Sequence, residues 1–512
     1  MVAALETPQA PIRLGAFQKP ALRRVDVRAL ARRHVRAGFD SAETTDHNHR
    51  HWARADALSA DAAASPDVRR TLRNRARYEV ANNSYARGIV LTLANDTVGT
   101  GPRLQMLSDD PGLNRAVETS FHAWALATGL AQKLRTMRMS RSQDGEAFAV
   151  LAFNPLVEHD VQLDLLLVEA DQITSDERSW RAGHDGSRPQ ASSRKPQAYE
   201  VDGLILDDFG NPVGYRVMKN HPGSTNQSIF DDFTTVPAPA MLHIFRQDRP
   251  GQHRGIPEIT PALPLFAQLR RFTLAVLSAA EAAADFAGIL YTDAPANGEA
   301  ESVEPMDLIE LERNMLMTMP GGWKMSQIEP MQPATTYAEF KREILNEIAR
   351  CLNMPFNIAA GNSSGYNYAS GRLDHQTYFK SIRVDQAFTA SRILDRTLAA
   401  WLREYAVLTR NPVLLRALPP HQWFWDGFEH VDPAKEANAQ ETRLKNLSTT
   451  LAHEYSKQGL DWESELRQRA KEKALILELG LSEAEAVPAP GGGPDRGDEE
   501  DGDGNDTEDT DE

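Results

Sequence analysis

Two stretches decide the fold: Pro261-Ala-Leu-Pro-Leu-Phe-Ala-Gln-Leu-Arg-Arg-Phe-Thr-Leu-Ala-Val-Leu-Ser-Ala-Ala-Glu-Ala-Ala-Ala-Asp-Phe-Ala-Gly288 and Tyr337-Ala-Glu-Phe-Lys-Arg-Glu-Ile-Leu-Asn-Glu-Ile-Ala-Arg-Cys-Leu-Asn353. The first carries alanine at 267, 275, 279, 280, 282, 283, 284 and 287. Alanine favours helix and lets neighbouring helices approach closely, whether in a bundle or between identical subunits. Pro264 falls early enough to be tolerated in a first turn. The second places Phe340, Ile344, Leu345, Ile348 and Leu352 at helical spacing. Between them, 289–335 reads as short strands around a Pro320-Gly-Gly turn. The polar loop Gly361-Asn-Ser-Ser-Gly-Tyr-Asn-Tyr-Ala-Ser370 follows, and then a long helix from Arg372 to Val407. That order predicts a rigid helical stalk with an insert at its far end and a flexible loop at its near end.

Working outward, residues 1–65 are basic, with Arg23-Arg24, Arg28, Arg32-Arg33 and Arg36, and read as a surface helix or loosely ordered arm. His47-Asn-His-Arg-His51 lies in a polar stretch without a Cys or carboxylate cluster, so it reads as solvated and not as a metal site. Asp67–Val98 reads as one helix, and Asn114–Thr128 as another. The segment from about 100 to 245 is expected to be mainly antiparallel β. It has strands at 146–153, 161–168 and 241–245, a hairpin across 204–218 and an exposed excursion at 175–200. Asp432–Gly480 reads as two helices broken at Gln458-Gly-Leu, and the Pro/Gly run and acidic tail beyond Pro488 as disordered.

Composition narrows the function classes. At 512 residues, with 41% hydrophobic and 25% charged, the chain can bury several cores. No apolar run reaches the roughly 18 to 20 residues of a membrane span, and the first residues lack the charged start and apolar core of a secretory signal. One cysteine, Cys351, excludes an intrachain disulfide and fits a reducing cytoplasm; it reads as helix filler. Of the net charge of −16, the tail from Asp495 supplies −10, with eleven acidic residues against one arginine. The remaining −6 leaves no whole-chain footprint for gripping nucleic acid.

Catalytic motifs are sparse. Gly361-x-Ser363-x-Gly365 matches the nucleophile-elbow pattern, with Asp395 and His421 in a permissible order, but it lacks the preceding buried strand that an elbow needs. A phosphate-cradling G-x-x-x-x-G-K-[ST] and a zinc-binding H-E-x-x-H are both missing. Asp501, Asp503, Asn505 and Glu512 mimic calcium-loop positions, but Asp506 replaces the required glycine. No catalytic residue, metal or cofactor is expected.

Several ordered blocks resemble the lambda-type family of tailed-phage portal proteins. They are Leu72-Arg-Asn-Arg-Ala-Arg77, Asn82-Asn83, Val98-Gly-Thr-Gly101, Asp144-Gly-Glu146 and Gly210-Asn-Pro-Val-Gly-Tyr215. His243-Ile-Phe-Arg-Gln-Asp-Arg-Pro-Gly-Gln-His-Arg-Gly255 is the most specific, followed by Asn367-Tyr-Ala-Ser-Gly-Arg372, Asp432-Pro-Ala-Lys-Glu436 and Gly459-Leu-Asp-Trp-Glu463. The resemblance runs from about residue 25 to 482. Ala369 and Gly371 depart from the family pattern.

The resemblance implies an α+β subunit with an α/β wing, a helical stem, a small β-containing clip and a helical crown. Such subunits form a ring, usually of twelve, at one capsid vertex of the virion, assembled in the host cytoplasm. Double-stranded DNA is packaged and ejected through the ring. It docks the terminase large subunit and the head-tail connector, and nucleates assembly of major capsid and scaffold proteins; no membrane is involved. By position, 1–24 is an arm, 25–258 and 371–430 the wing, 259–288 and 336–354 the stem, and 289–335 the clip. Residues 355–370 form the channel loop, 431–485 the crown and 486–512 the tail. The DNA-facing residues implied are Asn362, Ser363, Ser364, Tyr366, Asn367 and Tyr368, although the tyrosines could equally anchor the loop on its own subunit. Met317, Met319, Trp323 and Lys324 would face terminase or connector, and Ala275, Ala279, Ala283, Arg270 and Glu281 would pack between subunits. Residues 357–370 contain no Lys or Arg, which suits a channel that must not grip phosphate. The alternatives are a ring-forming adaptor without a DNA channel, or a serine hydrolase using Ser363.

Overall fold

The computed structural model describes residues 46, 49–175, 199–225, 232–285, 289–292, 323–326, 334–365, 368–415, 417–427 and 433–480. The chain divides after Leu58 into two units. In the first, His49 Nδ1 lies 2.8 Å from the Asp46 carbonyl and His51 packs edge-on to Trp52; His47 lies outside the described residues.

The second unit is α+β, and among the described residues every strand pair is antiparallel. It begins with α1 (Ala60–Ala63), α2 (Pro66–Asn82) and α3 (Ser84–Val98). The single helix expected over 67–98 is thus two. Asn83 turns extended, and its Oδ1 caps α3 by accepting the N–H groups of Tyr85 and Ala86, which a side chain competing with the backbone favours at a helix start. After β1 (Arg103–Met106) come α4 (Pro111–Ala127) and α5 (Leu130–Gln143). The sequence gives no sign of α5, so the region to 245 is less β-rich than expected. The three-stranded sheet orders β3 (Leu163–Val168), β2 (Glu146–Phe153) and β8 (Met241–Phe245). A second sheet runs β4 (Tyr199–Val201), β5 (Leu204–Leu206), β6 (Pro212–Met218) and β7 (Phe233–Pro237).

Strand alternation divides the interior. Ala147 and Ala149 of β2, with Leu242 and Ile244 of β8, face a core built on Phe121, Trp124, Leu398 and Trp401. Phe148 and Met241, on the opposite face, pack with Leu204, Leu206 and Tyr215 of the second sheet. A third core joins α2 and α3 to α6 (Leu263–Asp285), α7 (Ala334–Cys351), α8 (Phe356–Ala360) and α9 (Tyr368–Thr389). The helix begun by α9 passes through a π turn at Ala390–Leu394 into α10 (Asp395–Leu408). β9 (Ile289–Thr292) pairs with β10 (Trp323–Ser326) between α6 and α7.

Downstream, β11 (His421–Phe424) pairs with β1, a long-range contact no local pattern announces. Three helices follow where two were expected: α11 (Pro433–Lys445), α12 (Leu451–Lys457) and α13 (Trp462–Glu478). Breaks fall at Gly459 (φ +73°), as expected, and also around Leu447 (φ +55°). Arg103 donates to the Gly459 carbonyl at 3.2 Å and Gln105 to Asp461 at 2.8 Å, which tie these helices to the β1–β11 pair.

Candidate functional site

α6 and α7 pack side by side through Phe272, which stacks on Tyr337 (ring centroids 5.7 Å) and meets Phe340 edge-on (4.7 Å). The far end carries the β9–β10 pair, where Trp323 lies opposite Thr292 and Lys324 opposite Tyr291. Met317 and Met319 lie outside the described residues. On α6, Ala275 and Glu281 are exposed and Ala279 is half-buried. Leu274 and Leu277 beside them are more than half exposed. Arg270 reaches inward: it pairs with Glu79 at 3.2 Å and lies 4.9 Å from the Tyr78 ring, so its charge is used within its own subunit. Ala283 lies in α6, near its end.

At the near end the expected loop is shorter than 355–370. Residues 356–360 form α8, which buries Asn357 and Ala359 against α3 and α7, and α9 already begins at Tyr368. What remains between them is 361–367, of which the described residues 361–365 are exposed throughout. Gly361 (φ +62°) closes α8 in the left-handed region, and the Asn362 side chain accepts from Ser364 N–H at 2.9 Å and Ser364 Oγ at 2.6 Å. Ser363 sits on this exposed turn. Tyr366 and Asn367 lie outside the described residues. Beneath the loop, Asn357 Nδ2 donates to His375 Nε2 at 2.9 Å. Tyr378 donates to Asp96 at 2.7 Å, and burial together with the Asp96 charge pushes the Tyr378 hydroxyl's pKa far up.

The hydrolase geometry does not form. A helix, not a strand, precedes Gly361. His421 does reach Asp395 (Nε2 to Oδ1, 3.2 Å), but its Nδ1 faces the Pro419 carbonyl at 2.8 Å. Both ring nitrogens are therefore occupied, and neither can take a proton from Ser363.

Three motif blocks converge on one buried charge network, and residues outside the blocks build a second; sequence reading missed both. In the first, fully buried Glu146 at the start of β2 accepts from Arg254 Nε at 2.9 Å and Nη2 at 2.7 Å, Arg73 at 3.3 Å and Gly255 N–H at 3.1 Å, with His243 3.3 Å away. Burial alone would raise its pKa, but Arg254 and His243 hold it well below the carboxylate range. Burial drives His243 the other way, below the usual imidazole value. Arg254 also donates to the Ile173 carbonyl at 3.1 Å and reaches Asp202, which pairs in turn with Arg69. Arg69 is lowered to about 9 by burial and by Arg254. Two glycines let the strands cross here. Gly145 has φ +94°, and a Cβ on it would meet the Ile256 backbone within 2.7 Å; Gly255 abuts the Gly145 carbonyl.

The second network is a closed ring of two arginines and two carboxylates. Arg138 donates to Glu258 and Asp385, both at 2.9 Å, and Arg141 to the same pair, both at 2.8 Å. It clamps α5 and α9 to the segment entering α6. Although burial opposes it, the two arginines pull Glu258 down to about 2. The missed signal was charge set against apolar sequence: Asp144-Gly-Glu146 opens an apolar strand, and Arg254 stands next to last in the most specific block.

One cluster has metal-ligand composition: Glu169, Asp171 and His221 place ligand atoms within 4.8 Å of one another. Arg77 bridges both carboxylates, at 3.2 and 2.8 Å, so a cation is already supplied. Gly223 N–H donates to His221 Nδ1 at 2.9 Å, which puts the ring proton on Nε2, the atom facing the carboxylates. That tautomer has no lone pair to offer a metal there. Among the described residues no helix is long and apolar enough to cross a membrane.

A paired-helix stalk with a strand insert at one end and a loop at the other, braced by buried ion networks, is the frame of this chain. The family model described as phage portal protein, lambda family, matches residues 45–386, and the chain belongs to that family. A probable portal protein of Halomonas phage phiHAP-1 is 24% identical over 471 residues, covering 86% of this chain and 87% of that one. Among solved structures, a chain from the virion of a native gene transfer agent particle aligns with a TM-score of 0.45 at 14% identity, covering 76% of this chain and 92% of that one. A chain from the neck of a native gene transfer agent particle, computed with C12 symmetry, gives 0.43 at 15%, covering 77% and 94%. The chain is thus a portal protein of the lambda family.

Proposed function

We propose that copies of this chain close into a ring, of twelve subunits in the capsid, around a channel through which double-stranded DNA is packaged and later ejected. The order stem, insert, stem, loop carries the reading. α6 and α7 are locked by Phe272, Tyr337 and Phe340, the β9–β10 pair lies at one end, and a loop without Lys or Arg lies at the other. In this arrangement the exposed side of α6, with Ala275, Leu274 and Leu277, packs against neighbouring stems. The 289–335 clip, with Trp323 and Lys324, meets the terminase large subunit and then the connector. Asn362, Ser363 and Ser364 face the DNA with neutral polar groups that slide past phosphate without strong pairing. Residues 60–258 and 371–427 act as the wing against capsid and scaffold proteins, and 433–480 as the crown.

Negative-stain electron microscopy of the purified chain tests this. Rings with a central hole wide enough for duplex DNA are expected, and a population of monomers or compact dimers at every concentration overturns the reading. Rings with a closed centre would favour the channel-free adaptor.

A further inference from the structure

The sheet β4-β5-β6-β7 has two dissimilar ends. At one, the turn Asp207-Asp-Phe-Gly-Asn211 holds Phe209 in solvent, 90% exposed. The turn is built to keep it there. The Asp207 carboxylate accepts from Phe209 N–H at 2.9 Å, Asn211 N–H at 2.8 Å and the Asn211 side chain at 3.1 Å, while Gly210 takes φ +82°. Val213, two residues past the turn, is half exposed, and Asp207 and Asp208 give the tip two negative charges. An apolar group on a turn that is already ordered gains by burial and loses little freedom in doing so.

At the other end of β6, a strand of seven residues, a cavity of about 320 Å³ opens between α2 and the loop after the strand. Ile173, bridged to Val217 at that end of β6, lines it together with Pro66, Ala170 and Pro222; Arg69 and Arg70 also line it. Its size is at the lower end of cavities that hold small organic ligands, ample for one phenyl ring. Buried Arg69 Nε has no hydrogen-bond partner among the described residues. Arg70 is 61% exposed, and its one ion-pair contact among them is Asp67 at 3.9 Å.

We infer that Phe209 of one copy of this chain seats in the Arg69- and Arg70-lined cavity of the next copy, with Asp208 beside Arg70. Ring and guanidinium faces attract one another when desolvated, and Asp208 of the acidic tip meets Arg70, the exposed and weakly paired arginine of the lining, whereas the deeper arginines are already matched by Asp171 and Asp202. Knob and socket lie at opposite ends of one sheet. Taken one way round, the contact is heterologous and repeats head to tail, the arrangement that closes rings when the rotation closes; a reciprocal exchange would stop at a dimer. It rests on the ring assembly proposed above and names a wing contact for it.

Paired cysteines test this in the full chain. In a Cys351→Ser parent, Phe209→Cys combined with Asn74→Cys, which lines the cavity, is oxidised and run on a non-reducing gel. The expected result is a ladder of covalent oligomers beyond dimer, absent from either single variant. Phe209→Ala should raise the protein concentration needed for assembly at least tenfold while leaving the circular dichroism of the subunit unchanged. Rings without the ladder, or a disulfide closed within one subunit, overturn this contact and leave the ring standing. A parent that forms no ring at any concentration overturns both.

Discussion

Two regions of the subunit are held in opposite ways. Around Glu146 and Glu258, charged side chains from distant parts of the chain are buried and each is bound several times over. The 361–365 loop is exposed at every residue and is shaped by one local turn at Asn362 and two glycines. The family blocks supply Glu146, Arg254, Arg73 and His243 of the first region, whereas DNA contact is proposed at the second. Strongly patterned residues here specify how chain segments cross, and the surface proposed for function is defined by what it leaves out.

That contrast can be broken most forcefully at Glu146. Glu146→Gln keeps the shape but leaves Arg254 and Arg73 facing an uncharged amide in a buried site. We expect a loss of about 3–5 kcal/mol, measured by chemical denaturation of the subunit. A loss under 1 kcal/mol would mean the network is not the brace described here.

Gly145→Ala, at positive φ against the Ile256 backbone, should cost about 2–3 kcal/mol from strain and overpacking in the same assay. An unchanged denaturation midpoint would show that the crossing is looser than drawn.

Glu258 makes the contrast pH-dependent. Its carboxyl lies at about 2 in the fold, against an ordinary 4.5. Its stabilising contribution is therefore complete above about pH 4.5 and is lost as pH falls toward 2. Buried His243 adds to acid sensitivity in a higher window, since its lowered value means that protonation below the usual imidazole pKa favours the unfolded chain. Wild type should weaken between pH 5 and pH 3, and Glu258→Gln should show a flatter dependence over that range from a lower starting stability.

Asn357→Ala removes the His375 bond beneath the loop and should cost about 1 kcal/mol. Asn362→Lys should shift stability by less than about 0.5 kcal/mol. It should nevertheless slow DNA passage in a packaging assay, an effect that shrinks as salt is raised. If passage is unaffected at low salt, the loop does not face DNA.

Much of the architecture was legible because it follows local period. The stem helices, the strand at 146–153 and the break at Gly459 fall where the pattern put them. α5 was hidden because Arg138 and Arg141 lie on its buried face, and their partners Glu258 and Asp385 are more than a hundred residues away. The pairing of β1 with β11 was hidden for the same reason of distance. α8 is five residues long, too short for any period to show. Of the candidate site residues, Asn362, Ser363 and Ser364 do lie on an exposed turn. Arg270 is pinned to Glu79 because a half-buried guanidinium beside a carboxylate is held there, whatever its helix does elsewhere.

The helix running from Tyr368 through the π turn to Leu408 is about 60 Å long at the usual rise. Its first half places Tyr378 and Ile382 in one core, and its second half places Leu398 and Trp401 in another. The widened turn rotates the rod so that one continuous backbone serves both. Mechanically it is a stiff strut with its two bearings in different cores. A push at Tyr368, beside the loop, reaches Trp401 along one unbroken helical backbone.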